Sequence, residues 1–161
     1  MKQPLIILFM LFFEVAALAG AKAPLAERVV TMNTAVPFDE AYNQALEEMQ
    51  NLPPAEKAKL SKALETIFQK DKSVERRANA ASALGDLCAD VKSNDQILNH
   101  GAQDKDKVVR QAVVSAITRC GATTKTIETL KKLESDKDET VKALAEANLE
   151  KLGAKTSGAA K

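Results

Sequence analysis

Cys88 and Cys120 are the two cysteines of the chain, and their thiols are the most reactive side chains in it. They could form a disulfide, or they could remain two small buried thiols that fill a core. Metal binding is a weaker interpretation, because two sulfurs and the single distant His100 make a poor ligand set for zinc. The sequence predicts a candidate disulfide between Cys88 and Cys120, with buried thiols as the alternative, and no metal site.

No residue is assigned a catalytic role from the sequence. His100 is the sole histidine, and a histidine near a helix end commonly interacts with the helix dipole. Acidic pairs such as Glu47-Glu48 could act as general acid and base, but they also fit a solvated helix face. The chain contains no HExxH, GxSxG or CxxC motif and no glycine-rich phosphate loop. We therefore expect a protein that is not an enzyme and that binds no cofactor.

The composition favours an all-helical protein that does not bind nucleic acid. Lys, Glu, Ala, Leu and Gln are abundant, and all five are good helix formers. The 161 residues carry 23 basic and 22 acidic side chains, which gives a formal charge of +1. Nucleic-acid-binding proteins usually show a strong basic excess, so this balance argues against that class.

The N-terminus has the order of a secretory signal peptide. Lys2 is followed by an apolar run of nine residues, Leu5 to Phe13, and then by small residues. A membrane span needs about 20 apolar residues, and Glu14 interrupts this one. We predict a signal peptide over residues 1–19, with cleavage alternatives up to residue 23. The mature protein would have no membrane span and would be periplasmic or secreted.

The rest of the chain divides into a linker, a helical domain and a tail. Residues 20–38 are predicted to be a linker or extension, because residues 24–37 show no clear period. Residues 154–161 are small and polar and are predicted to be disordered. Seven helices are predicted between them, the first from Asp39 to Gln50. The fourth is predicted to start with a capping box formed by Ser93 and Gln96.

Three segments inside the helical domain match one another. They begin at Asp71, Asp104 and Asp136, which are offsets of 33 and 32 residues. Several positions recur together at these offsets, including a basic one and the apolar ones that follow it on the same helical face. A period of this length predicts a solenoid, in which neighbouring helix pairs bury each other's apolar faces. The aligned polar positions are Asp71, Asp104 and Asp136, followed by Arg77, Arg110 and Lys142.

The D-x-x-x-x-V-R-x-x-A-x-x-A-L-G cadence resembles HEAT repeats, especially the bacterial subgroup called PBS-lyase HEAT-like. The likeness covers roughly residues 55–153 and is strongest in the second repeat, with Asp104, Val109, Arg110 and Ala116. It implies an all-α fold: a short α-solenoid of about three HEAT-like helix pairs over residues 39–153, with the first helix as an N-terminal cap. It also implies a structural role for the aspartates and basic residues, which usually cap helices and bridge neighbouring repeats.

A solenoid of this kind is expected to bind an unidentified protein or peptide. The predicted function is a non-enzymatic interaction scaffold or adaptor in the cell envelope. The alternative is an enzyme accessory or lyase-like protein, by analogy with the relatives that give the subgroup its name. Helical phase predicts that the interaction face combines residues of the third, fifth and seventh helices, namely Ser82, Asp86, Gln111, Ser115, Arg119, Glu146 and Glu150.

Overall fold

The computed structural model describes residues 23–31 and 40–153. The predicted signal peptide and C-terminal tail lie outside the described residues. The described part contains helices and no strand. The longest described helix has 17 residues, and none is both long and apolar enough to cross a bilayer. The helices are α1 Leu25–Val30, α2 Glu40–Gln50, α3 Pro54–Lys70, α4 Val74–Asp86, α5 Asn94–Gly101, α6 Lys107–Arg119, α7 Thr124–Leu133 and α8 Glu139–Lys151.

The helices form two layers, which makes the fold an all-α solenoid. One layer contains α4, α6 and α8, each packed against the next, and α1 packs against the free side of α4. The other layer contains α3, α5 and α7, while α2 packs against α1. The pairs α3–α4, α5–α6 and α7–α8 are the three predicted repeats. Their shared apolar faces are buried, as stacking of neighbouring pairs requires.

The helices of the repeat layer begin and end where local chemistry favours it. The side chains of Ser73, Asp106 and Asp138 accept hydrogen bonds from the first backbone amides of α4, α6 and α8. After α6 the chain turns at Gly121, whose φ of +90° is strained for residues with a side chain. Pro54 opens α3, where its missing amide hydrogen costs no helical hydrogen bond.

The prediction that residues 20–38 form a linker or extension is wrong for Leu25–Val30, which is helix α1. Three small apolar side chains of α1 are buried at the spacing of one helical face: Ala26, Val29 and Val30. A run of six residues is too short to produce a visible period, so the pattern was missed. Packing against α4 stabilises a helix that its own length could not maintain. The N-terminal cap is therefore α1 together with α2.

The capping box predicted for the fourth helix, which is α5 in the structure, does not form. Ser93 has helical backbone angles, and its hydroxyl makes no capping hydrogen bond. The neighbouring Asn94 is fully buried instead. It accepts a hydrogen bond from the Ser61 hydroxyl at 2.5 Å and donates one to the Leu84 carbonyl oxygen at 2.9 Å. Asn94 thereby joins α3, α4 and α5, which a motif confined to one helix start could not reveal.

The C-terminal halves of α4 and α6 approach each other closely. Gly85 faces Ala116, and a Cβ atom added at Gly85 would lie 2.7 Å from the Ala116 Cα. Both residues are buried, so no solvent-filled gap separates the helices there. Small residues at this contact are what permit the two backbones to approach.

We expect Gly85→Ala to lower the free energy of unfolding. Alanine in place of glycine would stabilise an isolated helix by about 1 kcal/mol. Here the new methyl group would clash with backbone atoms of α6, and overpacking of a filled core costs about 1–3 kcal/mol. The clash should outweigh the gain, with a net loss of about 1 kcal/mol. Urea unfolding would measure it, with the exposed Ser115→Ala as control; a stabilised Gly85→Ala protein would contradict the close contact.

Candidate binding surface

In the first and second repeats, an arginine forms a two-point ion pair with an aspartate of the next repeat. Arg110 donates from Nε to Asp136 Oδ2 at 2.8 Å and from Nη2 to Asp136 Oδ1 at 2.9 Å. Arg77 makes the same forked contact with Asp104, with both distances 3.0 Å. The Arg110 and Asp136 side chains are only 4% and 7% exposed. These pairs hold adjacent repeats in a fixed relation.

The aspartates also organise the loops that lead into the helices. The side chains of Asp71, Asp104 and Asp136 accept hydrogen bonds from the backbone amide two residues later. They lie two residues before the capping residues, so the expectation that they cap the helices directly is wrong. Each of these three aspartates fixes the loop, while the cap residue two positions later accepts hydrogen bonds from the helix amides.

We call the series of aspartates and basic residues at the repeat positions the ladder. Its two ends differ from its middle. Asp71 has no preceding repeat, and it pairs with Arg76 of its own repeat at 2.7 Å. Arg76 also contacts Glu27 of α1 at 2.8 Å, which attaches the N-terminal cap. At the other end Lys142 pairs with Glu139 at 2.5 Å on its own helix. No further repeat follows α8 in the described chain, so Lys142 bridges nothing.

The arginines shift the pKa values of their partner carboxyl groups. The hydrogen bonds from Arg110 lower the pKa of Asp136 against the opposing effect of burial. Burial raises the pKa of Asp104, but hydrogen bonds from Arg77 and from the Asp106 amide outweigh it, so the net pKa is lowered. Both aspartates therefore remain ionised in the folded protein to lower pH than in the unfolded chain.

This predicts a loss of stability in acid. Because the pKa of Asp136 is lower in the folded state, its stabilising contribution is complete above the unfolded value of about 3.9. The contribution disappears as the pH falls through the folded pKa. Asp136→Asn should lose less free energy of unfolding than the wild type between pH 7 and pH 3. Chemical unfolding at both pH values would show this, and Glu47→Gln should behave like the wild type.

The structure joins Cys88 and Cys120 in a disulfide, with their Cα atoms 4.8 Å apart. Cys88 follows the end of α4 and is buried, while Cys120 is the C-terminal cap residue of α6 and is partly buried. Equivalent helices of neighbouring repeats usually lie about 8–10 Å apart, which is too far for a disulfide unless the chains converge. The close contact of Gly85 with Ala116, near both cysteines, supplies that convergence.

Four of the predicted interaction-face residues form one cluster on α4 and α6, which we call the ridge: Ser82, Asp86, Ser115 and Arg119. The Arg119 guanidinium contacts Asp86 at 2.8 Å, the Ser82 carbonyl oxygen at 2.8 Å and the Ser115 carbonyl oxygen at 3.2 Å. The predicted neighbour Gln111 is half-buried on the same helix. The polar groups of the ridge are thus bonded to one another through Arg119, across two repeats.

Helix α2 reaches this ridge, which the sequence did not predict. Burial raises the pKa of Tyr42, and the charge of Asp86 raises it further while Arg119 lowers it. Burial likewise raises the pKa of Asp86, opposed by Arg119. The Tyr42 phenol is therefore close enough to the Asp86–Arg119 ion pair to feel both charges. Helical phase in α4 and α6 carries no information on side chains of a third helix.

Glu146 and Glu150 are exposed on α8, but their repeat positions are not those of the ridge residues. Glu146 is the equivalent of Ala81 and Val114, which are buried because the following repeat covers them. The α8 residues that continue the ridge are Ala147 and Lys151. The offset to the third repeat is 32 residues, and an error of one residue rotates the side chain by about 100°. Glu146 and Glu150 instead form a polar end face on the last repeat.

The exposed His100 lies in the last turn of α5, where a basic side chain interacts favourably with the helix dipole. Within residues 23–31 and 40–153, no group of three or more potential ligand side chains could hold a metal ion.

The layered helix pairs and the Asp–Arg ladder between them define a helical repeat protein. The family described as HEAT repeats matches residues 60–150, which is more than half of the chain. The chain belongs to the HEAT-repeat family. No curated protein and no solved structure matches it.

Proposed function

We propose that this protein is an exported, non-enzymatic scaffold that binds a protein or peptide partner in the cell envelope. HEAT repeats are generally protein-interaction scaffolds. The observation that carries the proposal is the pair of buried forked contacts, Arg77–Asp104 and Arg110–Asp136, which lock three repeats into one unit. A unit with fixed repeat geometry loses little conformational freedom on binding, and that favours affinity.

The N-terminal sequence and the disulfide support export. The positive charge, the nine-residue apolar run and the small residues after it are typical of a cleaved signal peptide. A disulfide persists in oxidising compartments such as the periplasm or the extracellular space. The cadence around Val109 and Arg110 also supports membership of the PBS-lyase HEAT-like subgroup.

Site-specific photo-crosslinking in the producing cell tests the scaffold role. A photoreactive amino acid would replace Ser115, an exposed ridge residue on α6, in the otherwise native chain. The matched control would place it at Ala63, which is exposed on α3 in the opposite layer. We expect a discrete protein adduct from position 115 that is absent from position 63. No adduct from position 115, or the same adducts from both positions, would count against the proposal.

Intact mass of the protein from the same cells tests export separately. We expect a chain that begins between residues 20 and 24 and is two hydrogens lighter than its reduced form, recovered from the envelope or the medium. A full-length chain in the cytoplasmic fraction would refute export and leave the binding role to the crosslinking result.

A further inference from the structure

A cleft of about 640 Å³ lies between α5 and α7, on the layer opposite the ridge. Its walls are the C-terminal part of α5, one face of α7 and the loops that lead into α6 and α8. Four lysines line it, and we call it the lysine cleft: Lys105, Lys125, Lys132 and Lys137. All four side chains belong to exposed residues, so their charges meet the solvent at the mouth.

The charge of the lysine cleft is unbalanced. Within the described residues, none of its four lysines has a carboxylate at ion-pair distance. What distinguishes the cleft is that four such lysines share one wall. Two of the carboxylates that line the cleft, Asp104 and Asp136, are already held by Arg77 and Arg110. Glu128 is the one remaining acidic side chain in the wall. Four positive charges thus face one negative charge, which attracts an anionic partner.

An unpaired hydrogen-bond donor belongs to the same wall. Asn99 accepts a hydrogen bond from the Thr129 hydroxyl, which ties α5 to α7. The Asn99 Nδ2 is buried and has no hydrogen-bond partner in the described part of the chain. A buried donor without a partner costs about 1–3 kcal/mol. An oxygen of a bound peptide would reach this donor only if the Asn99 side chain rotated toward the cleft.

The lysine cleft continues along the loop edge into a second depression of about 570 Å³. The two share Lys105, Lys137 and Arg110. The second also contains Val108 and two carboxylates that already have partners, Asp138 with Lys107 and Asp106 with the Val108 amide. Val108 is the large apolar side chain that the described structure leaves exposed, at 44%. Two adjoining depressions, with lysines shared between them and an apolar contact in the second, suit a chain of several residues better than a small anion.

Lys105 and Lys137 occupy the same position in successive repeats, directly after the ladder aspartates. Neighbouring equivalent helices lie about 8–10 Å apart, so the repeat spaces these lysines by roughly that distance. A peptide in the extended polyproline II conformation has three residues per turn and rises about 3.1 Å per residue, so side chains three residues apart lie on one face about 9 Å apart. Acidic residues at every third position would therefore meet successive lysines.

We propose that the lysine cleft binds an extended acidic peptide segment of the partner protein, with carboxylates against Lys105 and Lys137 and an apolar side chain against Val108. The proposal rests on the proposed scaffold function and names the chemistry of its partner. It adds a contact on the loop edge between the second and third repeats to the contact with the ridge that the crosslinking experiment tests.

Fluorescence anisotropy with the mature, disulfide-bonded chain tests the proposal. The probe is a labelled peptide of about ten residues, with glutamate at every third position and one leucine. We expect saturable binding that weakens with salt, and no binding of the same peptide with glutamine in place of glutamate. Lys105→Gln/Lys137→Gln should bind the peptide about tenfold more weakly. The double variant loses two exposed ion pairs, and each contributes up to about half of the binding free energy that corresponds to a tenfold change. Val108→Asp should also weaken binding.

The matched control is Lys62→Gln/Lys92→Gln, which removes the same charge from exposed positions outside the cleft. Equal weakening by both double variants, or no binding to the wild type, would overturn the proposal. Displacement of the peptide by an equal concentration of inorganic phosphate, or tighter binding of a DNA oligonucleotide, would also overturn it. If the wild type did not bind the peptide but still gave crosslinks from position 115, the proposed role of the lysine cleft would be refuted and the scaffold role would stand.

Discussion

Arg110→Ala is expected to lower the free energy of unfolding by about 3–5 kcal/mol, the usual cost of removing one partner from a buried ion pair. Arg110 makes two hydrogen bonds to Asp136 and two more to the carbonyl oxygens of Asp104 and Lys105. The substitution would leave the Asp136 carboxylate buried without its counter-charge. Domains of this size have a total stability of about 5–15 kcal/mol, so the variant should be close to unfolding.

Urea unfolding followed by circular dichroism would measure the loss as a lower midpoint at unchanged slope. Arg119→Ala is the matched control, because its ion pair with Asp86 is over a third exposed on both sides and such pairs contribute about 0–1 kcal/mol. Arg110→Lys keeps the charge but loses the forked geometry, so it should fall between the two and remain folded. A loss for Arg110→Ala no larger than for Arg119→Ala would show that the ladder does not hold the repeats together.

Removing the disulfide with Cys88→Ala/Cys120→Ala is expected to lower the free energy of unfolding by about 3 kcal/mol. The bond closes a loop with a sequence separation of 32 residues, and a loop of that length restricts the unfolded chain by about 3–4 kcal/mol in the chain-entropy estimate. Alanine is the suitable replacement because Cys88 is buried and a serine hydroxyl there would add an unsatisfied polar group. The helices should remain, since the ladder contacts are untouched.

Thermal unfolding with and without dithiothreitol provides the control. Reductant should shift the midpoint of the wild type to that of the double alanine variant, and it should not change the midpoint of the variant itself. A wild-type midpoint that does not respond to reductant, together with reactive thiols under native conditions, would show that the two cysteines are the buried pair of the alternative interpretation.

The fold was predictable because its determinants repeat along the chain. The Asp71, Asp104 and Asp136 positions and the apolar residues after them recur at nearly constant offsets, and a recurring apolar face can be buried only by its neighbours. This gave the all-α solenoid and its three helix pairs, which the structure and the family match confirm. The short α1 was missed because it has no period and depends on contacts with α4.

The candidate sites were less predictable, because they depend on which side chains meet across helices. Ser82 and Arg119 are 37 residues apart, and only the packing of α4 on α6 shows that they bond to each other. Glu146 lies one residue of helical phase away from the ridge position of its repeat, Ala147. No sequence pattern predicts the lysine cleft, because Lys125 and Lys137 belong to different elements. Its positive charge follows only from the structure, in which arginines already pair with the neighbouring aspartates.

The sequence alone determined the local and periodic features of this protein: helix identity, most helix ends, and the positions that face the neighbouring repeat. Those features follow from interactions within a few residues and from a pattern that recurs about every 33 residues. Only the tertiary structure decided the distance between Cys88 and Cys120, the forked pairing of Arg110 with Asp136, and which lysines remain without a counter-charge. These depend on distances between segments far apart in the chain, which close packing fixes and a one-dimensional pattern does not contain.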